Sequence, residues 1–453
     1  MNTILWLRRD LRRSDHPALV AAHDAAAGAG VLPVFVVDPT LIASAGSARL
    51  AALHEALSGA RESFDDALVV RHGRPEEVLP ALAREVRAAS IHITAETTPY
   101  GRRRDERVRA ALAPDVPLVV TGSPYAVTPG RIRTGSGTPY QVFTPFSRAW
   151  RDHGWRRPAA IPVGLRWYRG AASEPLHVGV DGPATGGSPV DERQALDRWH
   201  EFLATGLESY GVDRDRPDLA ATSGMSVHLK YGAIHPRTML ADLAAVTAGR
   251  GPDVTAYVNE LCWREFYADV LWHQPASAWA DLRPGLRSMA YDDPATPAFA
   301  AWQAGRTGYP LVDAGMRQLL AEGWMHNRVR MVTASFLVKD LHVWWPYGAR
   351  HFLAHLRDGD VTSNSHGWQW VAGTGTDASP YFRVFNPVAQ GERFDPFGDY
   401  VRRYVPELGH VAGRGVHQPW KVAGAYDDGY PVPIVDHGEE REEALRRYAA
   451  ARG

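Results

Sequence analysis

The sequence predicts an α/β domain built on a doubly wound parallel sheet (Rossmann-like), a long connector, and an all-α domain after it. Three observations carry this prediction. Short, apolar, β-branched runs alternate with amphipathic stretches over the first 128 residues, as buried parallel strands and their crossover helices require. From Thr128 to Pro189 both periodicities fail, and Pro and Gly punctuate the chain (Thr128-Pro129-Gly130, Gly135-Ser136-Gly137, Gly186-Gly187-Ser188). Beyond that point apolar residues recur at helical spacing. The boundaries fall at 1–128, 129–195 and 196–453.

Strands are predicted at Thr3–Leu7, Val31–Val37, Leu68–Val70, Ile91–Thr94 and Leu118–Val120, each too short and too continuously apolar for a surface helix. Between them Ala48–Leu57 and Glu76–Val86 have helical spacing, the latter entered by Pro75 at a favourable first position. No G-x-G-x-x-G and no Walker-type loop is present, so neither an NAD fingerprint nor a phosphate-cradling lysine is visible. In the second half Leu196–Leu207, Thr238–Val246, Val254–Trp272, Asp313–Glu322 and Asn327–Asp340 read as helices.

Composition excludes several classes. At 45% hydrophobic and 22% charged the 453-residue chain is globular, and no apolar run could span a bilayer. Arg8 and Arg9 follow the first apolar run, the reverse of a secretory signal, so a cytoplasmic protein is expected. The one cysteine, Cys262, excludes an internal disulfide and a cysteine-based zinc site. A net charge of −1 means that any nucleic-acid surface must be a local patch. Of the 50 basic residues only Lys230, Lys339 and Lys421 are lysine, a skew better explained by codon composition than by DNA binding. Eleven of the fifteen tryptophans follow residue 198; a large helical core and an aromatic-lined site explain this equally well.

Three segments of the helical half look chemical. Glu260, Trp263, Arg264 and Tyr267 share one helix face at i, i+3, i+4 and i+7, which by itself is also an ordinary amphipathic edge. In Trp324-Met325-His326-Asn327-Arg328-Val329-Arg330-Met331, residues Asn327, Arg330 and Met331 share a face that suits a heterocycle edge and a neighbouring anion. In Asp358-Gly359-Asp360 through Asn364-Ser365-His366-Gly367-Trp368-Gln369-Trp370, the acids flank a glycine without the further oxygen ligands of a calcium loop, so no metal is expected.

Together these segments resemble the class I photolyases of the photolyase/cryptochrome family, which repair cyclobutane pyrimidine dimers. The similarity runs through Leu5-Trp6-Leu7-Arg8-Arg9-Asp10-Leu11-Arg12, Met316-Arg317-Gln318, Gly323–Arg328, Lys339-Asp340-Leu341 and Asp358–Trp370. It continues in Thr374-Gly375-Thr376-Asp377 and Tyr381-Phe382-Arg383-Val384-Phe385-Asn386-Pro387, and so covers nearly the whole chain. The resemblance implies FAD held by the helical domain through Tyr210, Thr222, Ser223, Gly224, Met225, Ser226, Arg264, Asn327, Arg330, Asp358, Gly359, Asp360 and Asn364. Arg330 and Asp358 would pair beside the flavin ring, with Asn364 opposite its N5.

The same resemblance implies that a dimer is flipped out of the duplex and split by an electron from light-excited FADH⁻. Glu260 would hydrogen-bond the dimer, Trp263 and Trp370 would be its apolar walls, and Arg264, Tyr267, Asn327, Arg328 and Met331 would complete its contacts. Oxidised flavin would be re-reduced through Trp368 and Trp345. No Trp occupies the outer position of that relay; Tyr291 would end it at the solvent, passing its proton to Asp292 or Asp293. Asp38, Arg49 and Lys230, with Tyr100-Gly101-Arg102-Arg103 in place of the Asn-Glu of the folate branch, look like the branch whose antenna is 8-hydroxy-5-deazaflavin, methenyltetrahydrofolate being the alternative. Damaged DNA is the implied partner, and a monomer is expected. The rival is a cryptochrome-type photoreceptor that signals without repair, against which Asn364 and the Glu260, Trp263 and Trp370 set argue. Ser365-His366 departs from the family's usual Asn-Gly and puts flavin redox tuning in doubt.

Overall fold

The continuous apolar runs of the first half are parallel strands. The structure, a computed structural model, describes residues 1–180, 189–246, 251–287, 289–376 and 383–452. In chain order β1 (Thr3–Leu7), α1 (Pro17–Ala26), β2 (Val31–Val37), α2 (Pro39–Ala43), α3 (Ser47–Ser63), β3 (Val69–His72), α4 (Pro75–Glu85), β4 (Ser90–Ile93), α5 (Pro99–Ala111) and β5 (Leu118–Val120) form the α/β part. Then come α6 (Phe143–His153), α7 (Glu192–Thr205), α8 (Tyr210–Asp213), α9 (Ser226–Tyr231), α10 (Pro236–Ala245), α11 (Gly251–His273) and α12 (Pro297–Gln303). The chain continues through α13 (Pro310–Glu322), α14 (Asn327–Lys339), α15 (Trp345–His355), α16 (Val361–Ala372), α17 (Pro387–Phe394), α18 (Asp399–Tyr404) and α19 (His437–Arg452). Of the expected motifs, Gly186-Gly187-Ser188, Asp377 and Tyr381-Phe382 lie outside the described residues.

The sheet order is β3-β2-β1-β4-β5, all parallel, with Thr3 of β1 in register with Val31 on one side and Ser90 on the other. This is the doubly wound arrangement. Side-chain alternation explains why both faces are covered: Leu5 and Leu7 enter one apolar core with Phe35 and Leu57, and Ile4 and Trp6 enter the other with Leu32, Val34 and Leu79.

The connector is not structureless. It contains α6, whose Phe143, Phe146 and Trp150 recur at i, i+3 and i+7, with Phe146 and Trp150 buried. Farther along, Arg166 and Tyr168 exchange backbone hydrogen bonds with Val31 at 2.9 Å, and Leu165, Trp167, Leu176 and Val178 pack on the sheet. The predicted loss of periodicity reflects a strap that follows the surface of the sheet.

Chain contacts divide the molecule at points other than residues 128 and 195. One compact unit is Met1–Tyr140, Thr144–Glu208 and Ser223–Pro275; the other is Gln141–Phe143, Ser209–Thr222 and Ala276–Gly453. Helices α9, α10 and α11 therefore group with the α/β sheet. Buried polar contacts are the cause. Arg12 donates to the carbonyls of Gly232 (3.0 Å) and Asp15 (2.8 Å), and the Asp15 carboxylate accepts from Arg237 and from the Ala159 amide. Gly232, at φ +69°, lies so close to Arg9 that an added Cβ would come within 1.9 Å of its carbonyl oxygen. In α11 the Glu265 carboxylate accepts from the Val127 amide (3.0 Å), the Trp150 indole (2.6 Å) and the Ala126 amide, holding connector and helix together. Cys262 is fully buried in the same helix, and burial pushes its thiol pKa up.

The second unit is centred on Trp302, Phe336, Trp345, Trp368 and Tyr400. Asp360 starts α16 by accepting from the amides of Thr362 (2.9 Å) and Ser363 (3.1 Å), and Gly373, in the left-handed conformation, ends it.

Burial raises the Glu265 pKa from 4.5 to about 7 in spite of its three donors. A pKa raised on folding adds stability at low pH that is lost as pH climbs through the folded value. Wild type should therefore lose a few degrees of thermal midpoint relative to Glu265→Gln between pH ~5 and ~7.5. Paired melting curves across that window check this; a constant difference would contradict it.

Candidate functional site

In the first unit α11 displays the predicted stripe. Glu260, Trp263, Arg264 and Tyr267 are all half-buried, while Leu261, Cys262, Glu265 and Phe266 fill the core side. Trp263 and Tyr267 pack ring to ring at 5.5 Å. Arg264 has a structural commitment: it donates to the Pro124 carbonyl at 3.0 Å, and its guanidinium lies 4.4 Å over the Tyr125 ring. Ser223 bonds the Tyr257 hydroxyl at 2.8 Å, its carbonyl accepts from Arg198 at 2.7 Å, and Gly224 turns the chain at φ +68°. Met225 is buried and Ser226 is exposed at the start of α9.

In the second unit α14, α15 and α16 collect the remaining candidates. Arg330 bonds the Met325 carbonyl at 2.7 Å and forms a two-point ion pair with the buried Asp358 at 3.0 and 3.3 Å. Burial makes such pairing necessary, because an unmatched desolvated charge costs several kcal/mol. Arg328 pairs with Asp215 at 2.8 Å and caps the Phe394 ring at 4.4 Å. Asn327 is exposed, Met331 and Trp370 are half-buried, and Gly359 is buried. Tyr210 is buried, with Arg214 over its ring at 5.6 Å; Thr222 is half-buried. Asn364 donates through Nδ2 to the Ala349 carbonyl at 3.0 Å. Its Oδ1 accepts from no described residue, so this amide is left as a fixed acceptor.

The aromatic residues of this unit are layered. Trp368 packs edge-on against Phe352 (4.9 Å) and Trp302 (6.2 Å). It also fits against Gly348 of α15, where an added Cβ would fall 2.3 Å from its ring. Trp345 lies one turn before that contact, and Trp344 follows at 6.5 Å from Trp345. Tyr291 is 6.4 Å from Trp344.

The structure corrects the expectation for Tyr291. Its ring is half-buried, and its hydroxyl is buried without a hydrogen-bond partner among the described residues. Burial and the charge of Asp281 push its phenol pKa upward. Asp292 is held by Arg447 at 2.7 Å, and Asp293 accepts from the Ala295 amide at 2.8 Å. The expected solvent-facing phenol with an acid beside it is not built. His366 also has a definite place. Its Nδ1–H donates to the Thr362 carbonyl (2.7 Å), its Nε2 faces the Ser277 hydroxyl (3.0 Å), and burial lowers its pKa to about 4. A neutral imidazole tied at both nitrogens braces α16.

The candidate antenna residues lie in the first unit, where Asp38 and Arg49 each make hydrogen bonds of their own. Asp38 caps α2 through the Thr40 amide (3.0 Å) and accepts from the Tyr100 hydroxyl (2.5 Å). Arg49 donates to the Ser44 carbonyl at 2.6 Å and accepts at its own carbonyl from Tyr231, the neighbour of Lys230, at 2.8 Å. Among the described residues no group of three or more His, Cys, Asp or Glu is placed to hold a metal ion, and no helix is long and apolar enough to cross a membrane.

Comparison with known proteins decides the family. Residues 3–163 match the DNA photolyase domain, and residues 257–450 match the FAD binding domain of DNA photolyase. A deoxyribodipyrimidine photo-lyase of Streptomyces griseus is 41% identical over 473 residues, covering 99% of each chain. The chain belongs to the photolyase/cryptochrome family. Among solved structures, a bacterial class III photolyase from Agrobacterium tumefaciens is similar at TM-score 0.90 and 36% identity, covering 99% of this chain and 97% of its own. An archaeal photolyase from Sulfolobus tokodaii, described with two FAD molecules, is similar at TM-score 0.81 and 27% identity, covering 99% and 100%. Photolyase-type FAD fits the residues present in the second unit: the neutralised Arg330–Asp358 pair, the acceptor left on Asn364, and the hydroxyl of Thr222. Sequence reasoning missed Asp281, Gly348 and Ala349, which act by position in the fold and carry no motif.

Removing the Asp358 carboxylate should strand the Arg330 charge. About a quarter of the Arg330 side chain stays in water, so Asp358→Ala should cost ~2 kcal/mol, below the ~3–5 kcal/mol of a fully buried pair. Chemical denaturation gives the stability change, and the flavin absorbance of the purified variant should fall with it.

Proposed function

We propose that this chain is a light-driven DNA repair enzyme that splits cyclobutane pyrimidine dimers, with FAD held by the second unit. The observation that carries the reading is the construction of α16. Asp360 caps it, Asn364 is fixed by Ala349 as a one-way acceptor, and Trp368 is locked below by Gly348. Bound FAD, in its reduced state, would supply the light-excited electron.

The chain's own residues would do the rest. Asn364 would accept a hydrogen bond from the ring's N5–H through Oδ1, because its Nδ2 is committed to Ala349. The Arg330–Asp358 pair would place a fixed dipole, with no net charge, beside the ring. Thr222 would offer a hydroxyl to the diphosphate, and Tyr210 adds a buried aromatic ring. Glu260 would hydrogen-bond the dimer. Trp263 would stack on its bases, an interaction of about 1–3 kcal/mol per base. Arg264 and Arg328 are committed to Pro124 and Asp215, so they would shape these surfaces more than supply free charge. Arginines elsewhere would bind phosphates and make affinity fall with salt.

Illumination of the reduced protein with an oligonucleotide containing one thymine dimer should restore the thymines, with no repair in darkness. Glu260→Ala should keep its flavin and slow repair on the order of tenfold or more, the loss of one hydrogen bond to a charged group. A variant as fast as wild type would remove Glu260 from the chemistry.

For the antenna we infer 8-hydroxy-5-deazaflavin in the first unit, supported by the Asp38–Tyr100 hydrogen bond and by the bond from Tyr231, the neighbour of Lys230, to the Arg49 carbonyl. The Lys230 ammonium would neutralise the acidic ring hydroxyl. Reconstitution should add a blue-region absorption band that Lys230→Ala weakens; binding of folate alone would defeat the assignment.

A further inference from the structure

The segment from Ser277 to Arg283 has little regular structure of its own, yet α16 fixes it at several points. Gln369, fully buried, donates to the Ser277 carbonyl at 2.7 Å and accepts from the Leu282 amide at 2.9 Å. Ser277 meets His366, and the Arg283 amide bonds the Thr374 carbonyl at 3.0 Å. What this brace holds in place is Asp281.

The Asp281 side chain is buried and faces two indoles. Its Oδ1 accepts from Trp345 Nε1 at 2.7 Å, and its Oδ2 accepts from Trp344 Nε1 at 3.3 Å. The nearby Arg287 donates to the main-chain carbonyl of Asp281 and not to the carboxylate, which makes no ion pair among the described residues. A neutral amide could accept from the same two indoles. A buried acid that lacks a cation is costly for a purely structural task, so the geometry points to a task that needs the acid itself.

We propose that Asp281 is the proton acceptor for one-electron oxidation of the Trp345–Trp344 pair, a proposal that rests on the flavin reading above. One electron leaves the Trp345 ring for photoexcited oxidised flavin by way of Trp368. The Nε1 proton of Trp345 crosses its 2.7 Å hydrogen bond to Oδ1 of Asp281. The products on this side are a neutral indolyl radical and a protonated Asp281, so no cation is stranded in the apolar core. A thiol reductant returns the electron through Trp344, which adjoins the exposed Tyr347 at 6.5 Å, and Asp281 returns the proton.

Flash photolysis of the oxidised holoenzyme tests this, because cationic and neutral indole radicals absorb differently. Wild type should give the neutral radical as soon as Trp345 is oxidised. Asp281→Asn, which keeps an acceptor but takes no proton, should give the cation, return its electron faster, and lower the yield of lasting flavin reduction about tenfold. Asp281→Glu should restore the neutral radical. A merely structural Asp281 would change thermal stability without changing the protonation state of the radical. A long-lived cation in wild type overturns the proposal without any variant, and so does Asp281→Asn that holds flavin and matches wild type in spectrum and yield. Wild type that binds no flavin overturns the functional reading as well, which separates the two failures.

Discussion

A carboxylate with no water, Asp15, is the constraint on which the first unit depends. It sits just beyond β1 at φ +46°, 1% exposed, and burial there would favour its neutral form if nothing answered its charge. Partners come from far along the chain: Arg237 from the start of α10, the Ala159 amide from the connector, and beside them Arg12 bridging to Gly232. Burial alone would raise the Asp15 pKa, but the His235 ring, the Ala159 amide and Arg237 together lower it. Because each partner lies on a different segment, satisfying one acid pulls connector, α9 and α10 onto the sheet. Helix α11 follows, and with it the face that carries Glu260 and Trp263.

Much of this was legible in the residues. Strands buried on both faces have no alternation to hide, so Thr3–Leu7 and Val31–Val37 were predicted at their observed bounds, and the short, continuously apolar edge strand Leu118–Val120 was too. Long helices such as α11 and α14 kept their spacing because one stripe must meet a core. Helix α6 was not legible, since three large apolar residues among polar ones and a proline do not exceed background. The partition was hidden for another reason: helical pattern says which face is buried but not against what. Tyr291 illustrates the limit at a single residue. Its place beside Trp344 could be guessed from sequence position, whereas the burial of its hydroxyl depends on neighbours brought in by the fold. Asp281 has no spacing signature; the brace supplied by His366 and Gln369 gives it meaning, and only the fold displays that brace.

The arginine excess also looks different in three dimensions. Many guanidinium groups work as internal cross-links: Arg8 on Asp105, Arg12 on two carbonyls, Arg264 on Pro124, Arg317 on Glu407, Arg402 on the Val411 carbonyl. Five donors in a planar fork can satisfy several acceptors in fixed directions, which an ammonium group cannot copy. A chain with three lysines can therefore be rich in positive charge without having a correspondingly positive surface. That accords with the near-zero net charge.

Cys262 has a practical consequence for experiment. It is the sole thiol in the sequence, it is fully buried in α11, and its raised pKa keeps it as the unreactive thiol. Maleimide reagents at neutral pH should thus find the native surface silent. A cysteine placed at any exposed position would be labelled alone, without first deleting a native one. Fluorophores or spin labels could then report distances and motions in this molecule against an empty chemical background.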